Sequence, residues 1–538
     1  MTIRRTQVQI DCVGKLRRAF EHGHRAALLQ LPTGQGKSLV AVDVFKKWGR
    51  PRGLNFLLVT PADKPLSEGW RAALALDEDA NAVHRAGMPF HLDRSTGRPA
   101  NACRVTIRQL TKFFERGARA NEDWQRWLVQ HEAFVVVDEF HRNRKWRQAL
   151  SLAFERESDR HLAAWFRPGR GRRPRAPVWL LLSATPYNPV ELDFQLDQSA
   201  ATADADADVE REVRALGSEV RRTLYALAAL DDHRGGSARE AVTELVRKVE
   251  DALAAPEASD RVSIGSGPLT IVPGTTHDLR PSRRAPALVV KIPEHTERDL
   301  LVVQEVYRRL LSGRDRQSGV VALAERLVLA GVRPTNGCRR LEQHGYGRAT
   351  VAAVAKARLP SGVRLAALES LVSVARAAVS DGDKVLVFCS HRAAAVAALR
   401  ALRSGMKALP RRDVAVASSG IRDVDSAAAF NSSESPRVLV TTDVNSESVD
   451  LHARCRTMIH FELPWTPLRV MQRYGRLWRL MQGGRQRIPR VFHVVHPGSV
   501  GEEILNRLRR RWDYLRVLGI DYVDLGVALG TRVPAVPW

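Results

Sequence analysis

The 538-residue sequence predicts an α/β chain in which two tandem parallel-sheet lobes flank a mostly helical insertion. Three observations predict it. An apolar run from Ala26 to Leu31 enters the glycine-bearing segment Pro32-Thr33-Gly34-Gln35-Gly36-Lys37-Ser38 and then a helix-like stretch from Leu39 to Trp48. A second run, Phe134-Val135-Val136-Val137, stops at Asp138-Glu139-Phe140-His141. In the second half the segments from Val385, from Val438 and from Thr457 to Leu463 repeat this architecture without the glycine loop. Unbroken apolar runs of this length suit strands covered by helices on both faces.

The residues that follow the first two runs carry a chemical reading. Gly34 and Gly36 allow backbone N–H groups to turn inward onto phosphate oxygens, Lys37 adds a point charge for the β- and γ-phosphates, and Ser38 offers a hydroxyl to Mg²⁺. The helix behind them points its positive end at the same phosphates. Leu31 stands where the general form of such a loop has a further glycine, so the segment fits the Thr-Gly-x-Gly-Lys-Ser form, with Thr33 at its head. After the second run two carboxylates divide two tasks: Asp138 holds the Mg²⁺, and Glu139 polarises the water that attacks the γ-phosphate. The expectation is a site that binds and hydrolyses ATP.

Composition bounds the partners. The length leaves room for about three domains of ordinary size. Lys and Arg number 84 against 59 Asp and Glu, a net charge of +25 that a phosphate backbone would exploit through counterion release. No apolar run approaches the roughly 20 residues of a membrane span, and the amino terminus is polar and arginine-bearing, so a cytoplasmic protein with no membrane partner is expected. Cys12, Cys103, Cys338, Cys389 and Cys455 are scattered singly, which suggests neither a disulfide framework nor a zinc site. Cys389 and Cys455 read as packing residues, and no metal beyond nucleotide-bound Mg²⁺ is expected.

Further segments, taken in order, resemble the motifs of the superfamily 2 helicases and translocases. Arg5 to Val13 is similar to the adenine-reading glutamine segment, with Gln9 the better-placed glutamine and Gln7 the alternative. Leu57-Leu58-Val59-Thr60-Pro61 followed by Trp70 resembles motif Ia, and Ser183-Ala184-Thr185-Pro186 resembles motif III. Gln472-Arg473-Tyr474-Gly475-Arg476-Leu477-Trp478-Arg479 matches motif VI at every specified position. The resemblance implies two RecA-like lobes facing one another across an ATP cleft. It implies nucleotide contacts from Gln9, Thr33, Gly34, Gly36, Lys37, Ser38, Asp450 and Gln472, and Mg²⁺ held by Ser38 and Asp138. Glu139, Arg476 and Arg479 would be catalytic, the two arginines lying three apart on one helix face, and Thr60, Pro61 and Thr442 would meet nucleic acid. In motif V, Ser448 stands where the family has glycine, which bears on coupling between the lobes.

The domain boundaries follow: 1–190 for the first lobe, 191–360 for the insertion, 361–500 for the second lobe and 501–538 for a helical tail. Helix-period stretches run from Val209 to Leu230, Arg239 to Leu253 and Glu297 to Leu311, while the Gly- and Pro-bearing stretch from Ile264 to Pro286 reads as a loop or linker. Residues 167 to 175 carry five arginines among prolines and glycines, a loop that either grips nucleic acid or is simply solvated. In the tail, Trp512 is expected to be core. Pro464 to Pro467 and the run from Val491 to Leu505 look most like bacterial Swi/Snf-related translocases. The function implied is movement on nucleic acid driven by ATP, with DNA favoured over RNA. An RNA helicase remains open, as does an ATP-gated DNA-binding subunit of a restriction or antiviral defence system, whose nuclease or effector would come from a partner chain.

Overall fold

The computed structural model describes residues 5–31, 35–61, 68–81, 102–106, 133–142, 144–155, 177–183, 186–187, 205–231, 236–255, 262, 268–273, 288–291, 366–417, 429–442, 455–464, 467–477, 490–495 and 500–518. They divide into two units. The first takes in 1–190, 211–278 and 514–520, and the second the rest.

The first unit is built on β1 (Ala26–Gln30), β2 (Asn55–Thr60), β3 (Ala102–Thr106), β4 (Ala133–Val137), β5 (Val178–Ser183) and β6 (Ile271–Pro273). They form one parallel sheet in the order β3-β2-β4-β5-β1-β6. Every residue of β1, β4 and β5 is buried, as the unbroken apolar runs require. Helices α1 (Gln7–Glu21) and α2 (Lys37–Val44) pack on this sheet, and Phe20, Phe45, Trp48, Phe56 and Phe134 form an aromatic core between them. α1 starts at a capping box: Gln9 N donates to Thr6 Oγ1 while Gln9 Oε1 accepts from Thr6 N. Arg5 adds a bidentate ion pair to Asp43, at 2.6 and 2.8 Å, which fixes the start of α1 against α2. The remaining α-helices described between 68 and 254 are α3 (Glu68–Leu74), α4 (Glu78–Asn81), α5 (Arg144–Glu155), α6 (Ala205–Leu230) and α7 (Gly236–Ala254).

α6 and α7 bear out two of the three helix-period stretches between the lobes, and 211–254 belong to the first unit. Asp231, at the end of α6, accepts from the backbone N–H groups of Arg25 and Ala26 at 2.5 and 3.0 Å and so clamps α6 to the start of β1. The expected loop from Ile264 to Pro286 is corrected in part. Ile271 and Val272 are buried as β6 on the edge of β1, and the strand stops at Pro273, which has no N–H for another ladder bond. The stretch from Glu297 to Leu311 and the arginine-bearing loop from 167 to 175 lie outside the described residues.

The second unit repeats the pattern. β7 (Leu288–Lys291), β8 (Lys384–Cys389), β9 (Val414–Ala417), β10 (Val438–Thr442), β11 (Cys455–His460) and β12 (Arg490–Val495) form a parallel sheet in the order β7-β12-β11-β8-β10-β9. α8 (Ala366–Ser380) and the alanine-rich α9 (Arg392–Gly405) pack side by side, and at Gly405 a Cβ would come 2.5 Å from Val372 Cγ1. α10 (Pro467–Tyr474) follows β11, and α11 (Val500–Val517), of which 500–513 belong to this unit, buries Ile504, Leu505 and Leu508 there. Trp512 is only half-buried, a correction to its expected core position; an indole is large enough that part of it stays exposed even on the apolar face of a helix. Cys389 and Cys455 are buried packing residues, and burial pushes the Cys455 thiol up, away from reactivity. Among the described residues no helix is long and apolar enough to cross a membrane.

Candidate nucleotide site

In the first sheet β4, β5 and β1 are consecutive neighbours. Their carboxyl ends therefore bring together the segment at 138–141, Ser183 and the loop that opens α2, which lie far apart in sequence. This is where a parallel α/β sheet places its ligands.

The loop is shaped by Gly36. Its φ is +81°, a left-handed conformation that glycine adopts without strain, and a Cβ there would run into the Gln9 amide. Gln9 itself is buried and donates from Nε2 to the Gln35 carbonyl at 2.9 Å, so the glutamine segment braces the glycine-bearing loop as well as capping its own helix. The alternative, Gln7, bonds Asp11 at 2.8 Å on the exposed face. Lys37 Nζ donates to the Leu31 carbonyl at 3.2 Å, and Ser38 Oγ donates to the Gly69 carbonyl at 3.3 Å. Thr33 and Gly34 lie outside the described residues.

Asp138 lies within electrostatic reach of Lys37. Asp138 Oδ2 accepts from Trp70 Nε1 at 2.8 Å and Oδ1 from Glu139 N at 3.0 Å. Burial pushes the Asp138 carboxyl up to about 6; the Glu139 charge adds to the rise, while the Trp70 hydrogen bond and the Lys37 charge oppose it. Glu139 has φ +49°, a left-handed conformation in which a residue with a Cβ is strained by about 1 kcal/mol or more. That turn directs Glu139 Oε2 to 3.3 Å from His141 Nδ1, and the same nitrogen lies 2.9 Å from Ser183 Oγ. His141 thus joins the carboxylate segment to the first residue of the Ser-Ala-Thr segment, a link that sequence reading missed.

A buried guanidinium supports this corner. Arg147 on α5 donates to the His141 carbonyl at 2.6 Å and to Thr223 Oγ1 at 2.9 Å, and pairs with Glu219 at 3.0 Å. Thr223 in turn donates to the Pro186 carbonyl at 3.1 Å, so one arginine ties both chemical segments to α6. Arg147→Met removes the fork, takes the donor from the His141 carbonyl and leaves Glu219 with Arg222 as its ion partner. Loss of a buried pair of this kind costs about 3 kcal/mol, to be read as a lower midpoint of chemical denaturation; an unchanged midpoint would rule the brace out.

The donor set suits a magnesium-bound nucleotide. Ser38 and Asp138 offer hard oxygen donors, Lys37 and the amino end of α2 bring positive charge, and among the described residues both amide atoms of Gln35 in the loop are buried without a hydrogen-bond partner.

In the second unit the consecutive strands β11, β8 and β10 likewise collect their carboxyl-end segments. Glu462 accepts from the N–H groups of Ser390 and His391 at 2.8 and 3.2 Å ahead of α9. Arg473 is buried over the Phe388 ring, 5.0 Å from its centroid, and donates to the Glu462 carbonyl at 2.8 Å, which anchors α10. α10 ends at Tyr474, and Arg476 lies in the turn 475–477, where the last bonds tighten from Gly475 N→Met471 O to Arg476 N→Arg473 O; whether it shares a helix face with Arg479 falls outside the described residues. Arg476 is buried and Gln472 half-buried; Arg479, Asp450 and Ser448 lie outside the described residues. Thr60 and Thr442 are buried at their strand ends, with Thr60 Oγ1 accepting from Arg104 at 3.1 Å, and Pro61 is half-buried.

Known proteins resemble the chain in both halves. A family model described as type III restriction enzyme, res subunit, matches residues 2–188, and the helicase conserved C-terminal domain matches 364–481. An uncharacterized ATP-dependent helicase, YqhH of Bacillus subtilis (strain 168), is 36% identical over 72 residues, which make up 13% of this chain and 12% of that protein. The helicase domain of Pyrococcus furiosus Hef aligns over 95% of this chain and 100% of its own, with a TM-score of 0.43 and 16% identity.

Proposed function

Since the chain belongs to the superfamily 2 helicases, we propose that it hydrolyses Mg²⁺-bound ATP and uses the cycle to move on nucleic acid, with DNA as the favoured track. The observation that carries the reading is the convergence of Lys37, Ser38, Asp138 and Glu139 at the ends of β1 and β4, with His141 and Ser183 completing the corner. Lys37 and the amino end of α2 hold the β- and γ-phosphates, and Ser38 and Asp138 hold the metal. Bound Mg²⁺ supplies neutralisation of phosphate charge. Glu139 orients the attacking water and accepts its proton at a carboxylate oxygen, while His141 keeps Glu139 in place.

Gln9, Thr33, Gly34, Gly36, Asp450 and Gln472 complete the nucleotide contacts, and Arg476 and Arg479 neutralise charge on the transferred phosphoryl group. Nucleic acid meets the chain at Thr60, Pro61 and Thr442. Because the two threonine side chains are buried, contact there runs through backbone and through Pro61. The net charge of +25 supports a polyanionic track.

A second reading has its own support. The match of 2–188 to a restriction-enzyme res subunit favours a motor that serves a nuclease or effector carried by a partner chain. Steady-state ATPase without nucleic acid, with double-stranded DNA, with single-stranded DNA and with RNA tests both. Stimulation by DNA above RNA is expected. Greater stimulation by RNA would move the assignment to an RNA helicase, and slow turnover indifferent to any polymer would favour the partner-dependent subunit.

A further inference from the structure

The sequence marks Trp70 only as the tryptophan that follows the segment ending at Pro61. In the structure α3 touches both groups assigned to the metal. Trp70 is buried, and its indole N–H donates to Asp138 Oδ2 at 2.8 Å across a separation of 68 residues. The preceding residue, Gly69, takes the Ser38 hydroxyl proton on its carbonyl at 3.3 Å.

These bonds leave the metal-facing capacity intact. Each oxygen of Asp138 accepts one fixed hydrogen bond, Oδ2 from Trp70 and Oδ1 from Glu139 N, and keeps a lone pair for a cation. Ser38 uses its only hydrogen on Gly69, so the lone pairs of its oxygen are what it presents. Two successive residues of one short helix therefore fix the orientation of a carboxylate that follows β4 and a hydroxyl from the first turn of α2. Outer contacts of this kind orient ligands and set metal affinity.

We propose that Trp70 is a positioning residue for the magnesium ion that accompanies the nucleotide, acting through its indole hydrogen bond to Asp138 while Gly69 orients Ser38. The proposal rests on the assignment of Ser38 and Asp138 as metal ligands. Phenylalanine at position 70 keeps most of the packing and removes the donor.

Calorimetric titration of the full chain with ADP, once in EDTA and once in saturating Mg²⁺, separates the possibilities. In Trp70→Phe the affinity in EDTA stays at the wild-type value, and the gain on adding Mg²⁺ shrinks by about tenfold. Equal weakening in both buffers would make Trp70 a packing residue and overturn the proposal, as would unchanged affinity in both. A wild-type chain whose ADP affinity ignores Mg²⁺ overturns the metal assignment itself. Should the variant not fold, hydrogen exchange of the unmodified chain decides: the 68–74 backbone gains protection with Mg²⁺ and ADP beyond that with ADP in EDTA, and no difference sinks the proposal.

Discussion

Glu139→Gln is expected to keep nucleotide binding and lower kcat by about 10²–10⁴-fold, the range that a positioned base contributes. Glutamine has nearly the shape of glutamate and can still lie beside His141 Nδ1, which is 3.3 Å from Glu139 Oε2, but its amide cannot take a proton from water. Asp138, Lys37 and the loop around Gly36 are untouched, so the phosphates keep their partners. Lys37→Ala should behave differently: its cation is removed from the loop, and binding itself weakens. Nucleotide affinity and single-turnover hydrolysis, measured on both variants, give opposite signatures. Hydrolysis by Glu139→Gln at near the wild-type rate would show that the carboxylate pair does not divide its work as assigned.

Arg476→Ala is expected to lower kcat by about 10³-fold or more, the scale of a lost arginine finger. Arg476→Lys should not restore it, because a lysine ammonium lacks the planar fork that spans two phosphate oxygens. The structure sharpens the test. Arg473, three residues earlier, is buried against Phe388 and bonded to the Glu462 carbonyl, so it serves the fold of α10, whereas Arg476 sits beyond the helix end in a turn. The comparison to make is kcat against the denaturation midpoint of the same Arg476→Ala preparation. A large fall in kcat at an unchanged midpoint supports the role, and a fall in both, in proportion, would make Arg476 another anchor.

The two lobes and the chemical segments of the first were legible because their signals are local. β1, β4, β5, β8 and β10 are short unbroken apolar runs, and the residues that end them carry the chemistry within a few positions. Helices α6, α7 and α11 were legible for the same reason, through apolar residues at helical spacing. Edge elements were harder. β6 offers two apolar residues before a proline and could be recognised only by its pairing with β1. The end of α10 at Tyr474 was also hidden, since a perfect motif match says which residues are present and not where the helix stops.

The amino-acid sequence by itself determined the fold class and singled out the glycine-bearing loop with Gly36 and Lys37 and the carboxylates Asp138 and Glu139 as candidates, because backbone conformation and side-chain chemistry are set by near neighbours along the chain. Only the tertiary structure decided that β5 lies between β4 and β1, that His141 meets Ser183, that Arg147 joins both segments to α6, and that Trp70 reaches Asp138. These contacts arise when strands choose neighbours so as to cover both faces of a sheet and when buried polar groups must find partners. That choice depends on every packed surface at once, and no local stretch of residues encodes it.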